Sequence, residues 1–150
     1  MFIDVYTHIL PPKYREALNK KMPPGFYYRK MADAFPALTD LDTRFRIMDK
    51  YEGLLHVISP TSLPVENIAD PKDAVELARI ANDEMAELVA KYPDRFAAAI
   101  ACLPMNDMDA ALKEVDRAIT DLRFRGVQIF TNINGKPLDS PEFMPLYEKM

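Results

Sequence analysis

An α/β fold with a parallel sheet is predicted for this chain, arranged as a (β/α)8 TIM barrel of which these residues form about the first four βα units. Three observations predict it. Four short apolar runs recur without the charge alternation of a solvated strand: residues 1–8 (MFIDVYTH), 54–59 (LLHVIS), 96–103 (FAAAIACL) and 126–130 (GVQIF). Continuous apolar runs of this length suggest strands covered on both faces, as in parallel sheets. Amphipathic helices lie between them, giving the order β, α, β, α, β, α, β, α, which implies right-handed parallel crossovers. The third observation separates the two architectures such crossovers allow. A doubly wound nucleotide-binding sheet calls for a glycine-rich turn after its first strand, but that strand runs into HILPPKY and the chain has only 4 glycines. A complete barrel takes about 250 residues, so 150 residues are read as the N-terminal half of one barrel.

Each helix has a readable boundary. After the first run, residues 11–39 carry PPKY, MPPGFYY and AFPAL, too proline-broken for one long helix, and are expected to form an irregular insertion over the C-terminal mouth of the first strand. Leu41, Phe45 and Met48 mark a short helix before the second run. Asp70-Pro71 supplies an N-cap with proline at the first helical position. Ala74, Leu77, Ala78, Ala81, Met85 and Leu88 then recur on one face until Tyr92-Pro93 stops the helix. The next helix starts near Asn106 or Asp107 and turns Ala111, Val115, Ala118, Ile119 and Leu122 inward. Ser140-Pro141 opens the fourth.

Composition limits the function classes. With 49% hydrophobic and 28% charged residues the chain is an ordinary globular type, and a net charge of -4 with scattered basic residues argues against a nucleic-acid partner. A single cysteine, Cys102, excludes an internal disulfide framework; it reads as a small apolar residue of the third strand. Neither a signal peptide nor a membrane-spanning run is read in the sequence, so a cytoplasmic protein is expected.

Chemistry concentrates at the first strand. Asp4, Tyr6 and His8 alternate, and strand side chains alternate with period two, so all three are expected on one face, with His8 at the carboxyl end where barrel enzymes place their catalytic groups. Read from spacing alone, Asp4 and His8 are either metal ligands or loop-bonding polar residues.

Four stretches carry a resemblance. They are IDVYTHILPP, LDTRFRIMDKYEG, ANDEMAELVAKYPDRFAAAIACLP and FRGVQIFTNINGKPLDSPEFMPLYEKM. Together they resemble the amidohydrolase-related family that includes aminocarboxymuconate-semialdehyde decarboxylase and the dihydroxybenzoate (resorcylate) decarboxylases. The resemblance implies a TIM barrel holding one divalent ion, commonly zinc, with ligands from a D-x-H-x-H segment on the first strand, a histidine on the fifth and an aspartate on the eighth. A histidine on the sixth assists catalysis. Carried over, the second histidine of the motif matches His8 and its acid matches Asp4. The first histidine falls on Tyr6, so the ion is expected to be weakly held or absent. Tyr6 is then a phenolate ligand, a bystander, or a catalytic hydrogen-bond donor to a substrate oxygen.

The implied function is a metal-dependent decarboxylase or hydrolase of a small carboxylated acid, aromatic or not, working as a homo-oligomer. The rival is a non-catalytic or metal-free relative that lost the ion together with its first histidine. Arg29 and Lys30, in the aromatic insertion, are expected to hold a substrate carboxylate, since arginine binds carboxylates bidentately. Asn132 is expected at the ligand, the competing reading of TNINGKP being a turn with Asn134-Gly135 at positive φ. His56 reads as a buried structural histidine. Arg44 and Arg46 read as partners of Asp40, Asp42 and Asp49. Asn82, Asp83 and Glu84 read as structural.

Overall fold

The computed structural model describes residues 1–61 and 63–150. Its strands are β1 (Phe2–Ile9), β2 (Leu54–Pro60), β3 (Phe96–Ala99), β4 (Ala101–Cys102) and β5 (Val127–Gln128). Its helices are α1 (Pro12–Lys21), α2 (Tyr27–Ala34), α3 (Leu41–Met48), α4 (Pro71–Lys91), α5 (Met108–Asp116) and α6 (Met144–Lys149). All strand pairs are parallel, in the order β1-β2-β3 and β4-β5. The third apolar run is divided at Ile100. Its first half pairs with β2, and its second half with β5, where the amide of Ala101 donates to the carbonyl of Gly126 at 2.9 Å. Consecutive parallel strands with intervening helices are the α/β arrangement the apolar runs predict.

The helix boundaries follow local chemistry. Asp40, Asp70 and Asp107 each cap a helix, their carboxylates accepting backbone amides of the first turn. α4 buries Ala74, Leu77, Ala78, Ala81 and Met85 of the predicted stripe, and Leu88, its last member, is partly buried against the core. α5 passes at Arg117 into a π-helical turn that ends at Asp121. Gly53, at φ 73°, turns the chain into β2, and its carbonyl receives the Phe2 amide at 2.8 Å to start the β1–β2 pairing.

Two expectations are corrected. Residues 11–39 are helical over most of their length, not irregular: α1 and α2 flank the turn 22–26, and a 3-10 turn follows at Pro36–Leu38. Pro12 and Pro36 sit at helix starts, where a missing N–H costs nothing, and Pro23 and Pro24 lie in the turn between α1 and α2. Tyr14, Leu18, Tyr28 and Ala32 are buried with Leu77 and Ala81 of α4, so the segment shares an apolar core with that helix. The second correction concerns β1, which is not covered on both faces. It pairs on one side only, and Phe2, Ile3, Val5 and Tyr6 are 69%, 49%, 64% and 81% exposed.

A candidate active-site cavity at the strand ends

The site begins with an irregularity in β1. Asp4 pairs with His56 and Thr7 with Ile58, so three steps on β1 meet two on β2: a β-bulge at residues 5–6. Asp4 itself spans the bulge, its Oδ1 accepting the amide of Tyr6 at 2.9 Å. One extra residue shifts the side-chain phase of everything beyond it. Val5, Tyr6 and His8 therefore line one cavity of about 350 Å³, together with Ser59, Ile100 and residues 127–130. Asp4 lines a different and more apolar hollow of about 1100 Å³, with Met1, Phe2, Ile47, Tyr51, Leu54 and His56. The alternation of Asp4, Tyr6 and His8 thus does not place them on one face.

In the smaller cavity His8 is half-buried and oriented. Its Nδ1 lies 2.9 Å from the carbonyl of Pro60 and 3.0 Å from Ser59 Oγ. A carbonyl only accepts, so Nδ1 carries the hydrogen, and in the neutral ring that tautomer leaves the lone pair on Nε2. The Tyr6 ring meets the His8 ring edge-on, 5.1 Å between centroids. Neutral imidazole with one nitrogen fixed on a backbone carbonyl is the form in which histidine binds metals, so His8 fits a divalent ion as one ligand. Among the described residues no group of three or more His, Cys, Asp or Glu converges on a metal-sized site.

The other sequence candidates lie away from this cavity. Arg29 caps α1: its Nη2 donates to the carbonyls of Asn19 and Met22 at 2.6 and 3.0 Å. Cations at a helix C-terminus satisfy carbonyls that have no intrahelical partner. Lys30 is exposed on α2 and Asn132 is exposed in a turn, its Oδ1 accepting the amide of Gly135 at 2.8 Å. Asn134 and Gly135 have φ 49° and 81°, so the turn reading of TNINGKP holds. None of the three lines the cavity.

A profile of the family described as amidohydrolase matches residues 3–150. The chain belongs to the amidohydrolase family. It is 38% identical over 125 residues to gamma-resorcylate decarboxylase of Rhizobium radiobacter, covering 83% of this chain and 36% of that protein. It is 30% identical over 165 residues to 2-amino-3-carboxymuconate-6-semialdehyde decarboxylase of Dictyostelium discoideum, covering 98% of this chain and 45% of that protein. Among solved structures it is similar to a dihydroxybenzoic acid decarboxylase from Polaromonas sp. JS666, crystallised with manganese and the inhibitor 2-nitroresorcinol. The TM-score there is 0.74 at 31% identity, covering 98% of this chain and 45% of that one. The chain thus spans less than half the length of each of these relatives.

Within this amidohydrolase chain, sequence reading missed Ser59 and Pro60, which orient His8 from β2. No motif marks them; the one available signal was their position at the carboxyl end of the second apolar run. It also misplaced Arg44, which pairs with none of the neighbouring aspartates but is 5% exposed and bonded to His56, Nη1 to Nδ1 at 3.1 Å. Burial, then the Arg44 cation, hold His56 below the ordinary imidazole value, against the pull of Asp4. His56 is neutral and structural, as expected, with Arg44 as its partner.

Proposed function

We propose that this chain is the N-terminal half of a (β/α)8-barrel decarboxylase acting on a small carboxylated aromatic acid, with a divalent ion of the zinc or manganese type. The observation that carries the reading is His8. Its Nδ1 is committed to the Pro60 carbonyl and its Nε2 is free, beside a phenol, in a cavity at the strand ends. The decarboxylase relatives, one of them holding manganese, support the same chemistry. The ion, when bound, would draw negative charge from the hydroxyl and carboxylate oxygens of the acid. His8 would hold it by Nε2, and the other ligands would come from the later strands of the family barrel.

Tyr6 does separate work in this reading. Its hydroxyl donates to a substrate oxygen, which a phenol does only in its protonated form. The apolar wall of Ile100, Val127, Ile129 and Phe130 would pack the aromatic ring and strengthen that hydrogen bond by excluding water. Arg29 and Lys30 are not assigned a role at the substrate. A homo-oligomer in a reducing cytoplasm, with Cys102 buried as a thiol, completes the proposal.

The experiment is carbon dioxide release from 2,6-dihydroxybenzoate by the full-length protein with added Mn²⁺. The expected result is metal-stimulated turnover. Tyr6→Phe should lower kcat about tenfold or more, the worth of one hydrogen bond of 1.5 to 3 kcal/mol, with metal content unchanged. Tyr6→His should raise metal content. Stoichiometric metal that disappears in Tyr6→Phe would make the phenolate a ligand instead, and absence of both turnover and metal would favour the metal-free relative.

A further inference from the structure

Arg44 is a buried cation that no carboxylate among the described residues bonds. Its guanidinium instead reaches three segments. Nε donates to the Ala37 carbonyl at 3.0 Å, Nη1 to His56 Nδ1 at 3.1 Å, and Nη2 to the carbonyl of His8 itself. These acceptors belong to the 3-10 turn of the insertion, to β2 and to the end of β1. The same turn is tied a second time to the chain just after β1, the Leu10 amide donating to the Leu38 carbonyl at 2.8 Å. Asp4 attracts the guanidinium from nearby but does not bond it, burial being the larger influence on Arg44, and a buried charge with no bonded counter-ion is expensive compared with an apolar residue of similar volume. The extra cost must be offset by something other than packing.

The His8 peptide supplies the reason. Past the bulge the β1–β2 ladder resumes, with Thr7 on Ile58, His8 on Ser59 and Ile9 on Pro60, and at this phase-shifted strand end the His8 carbonyl is held by the Arg44 side chain as well as by the ladder. We propose that Arg44 is the positioning residue for His8. By holding the His8 peptide against β2 and the 36–38 turn, it sets the ring where Nδ1 meets the Pro60 carbonyl and Nε2 stays available in the cavity. Arg44 lines no part of that cavity and acts only through His8. The inference rests on the reading of His8 as a metal ligand, and it also links the helical insertion to the site through one side chain.

The test uses the full-length protein and two readouts. Long-range ¹⁵N–¹H spectra of the imidazoles report which nitrogen of His8 carries the hydrogen, and a calorimetric Mn²⁺ titration reports affinity. The expected result is a single Nδ1–H tautomer in the wild type. In Arg44→Met that tautomer is lost and the Kd for Mn²⁺ rises about tenfold, the lower end of what losing a group behind a metal ligand costs. Arg44→Lys, which keeps the charge but not the fork, falls between. Wild-type tautomer and affinity in a folded Arg44→Met of lower Tm would overturn the proposal. If Arg44→Met does not fold, unchanged values in Arg44→Lys overturn it equally. A wild type that binds no Mn²⁺, with a His8 tautomer still lost in Arg44→Met, would sink the metal reading and leave the role of Arg44 standing.

Discussion

At Asp4, the carboxylate that strand alternation sends toward His8 instead closes over its own chain and accepts the Tyr6 amide. Two residues later the chain has changed phase, and Tyr6 and His8 share a cavity from which Asp4 is absent. Residue identity here decides chemistry only after backbone geometry has decided direction. Glu66 shows a second case in which surroundings outweigh type. It is 6% exposed, its Oε1 has no hydrogen-bond partner, and burial raises its pKa above the usual 4.5. A folded pKa above the unfolded one means the native state binds the proton more tightly. That contribution is whole below about pH 4.5 and is lost as pH rises through the folded value. The stability of the wild type relative to Glu66→Gln should therefore fall between pH 4 and pH 8, as read by urea melts of the full-length protein. A difference that stays flat, or grows with pH, would show that Glu66 is ionised at no cost.

At the scale of elements, α4 organises its neighbours through three consecutive residues. Asn82 is wholly buried. Its Oδ1 accepts the Cys102 amide at 2.8 Å, and its Nδ2 donates to the Cys102 carbonyl at 3.0 Å and to Glu114 at 2.7 Å. One side-chain amide thus imitates a strand partner for β4. Asp83 pairs with Arg117 at 2.5 Å, fastening α4 to the end of α5. Glu84 caps α1 from a distance, accepting the amides of Lys13 and Tyr14 at 3.1 and 2.6 Å. Reading these three as structural was correct, but the sequence could not name their partners, which lie between 20 and 71 positions away. Asn82→Leu should destabilise the full-length protein by about 2 to 4 kcal/mol, since a buried backbone N–H and C=O each lose their partner at about 1 to 3 kcal/mol. Chemical denaturation measures it, and a loss under about 0.5 kcal/mol would mean water replaces the amide.

Across the whole molecule, the exposed first half of β1 stands out beside a well-filled interior. Phe2, Ile3, Val5 and Tyr6 present apolar surface on a strand paired along one side only, next to a hollow rimmed by Ile47, Tyr51 and Leu54. An unpaired strand edge with apolar faces is a template for association. Residues 1–150 produced alone should elute from size exclusion as oligomers or aggregates and bind a hydrophobic dye, and Val5→Lys should raise the monomeric fraction. A monodisperse monomer with a cooperative thermal transition would contradict the half-barrel proposal and favour a self-sufficient open sheet. No helix among the described residues is long and apolar enough to cross a membrane, so a lipid bilayer is not what α4 or its neighbours are built to span.

Much of this was legible without coordinates. The alternation of apolar runs with capped helices determined the α/β class, because period and end signals are local properties of the chain. Asp70-Pro71 and the stripe from Ala74 to Met85 are realised as read, and the motifs of the four resembling stretches were enough to place the family. Tertiary structure alone decided the rest. A bulge is one residue of mismatch between two strands, and neither strand carries a sign of it, so the separation of Asp4 from His8 was invisible in the alternation. Arg29 and Asn132 looked free because their acceptor and donor, the carbonyls ending α1 and the Gly135 amide, are backbone groups that every residue possesses. Arg44 looked paired because aspartates surround it in sequence, whereas burial had turned it toward three backbone and imidazole acceptors from segments that only folding brings together.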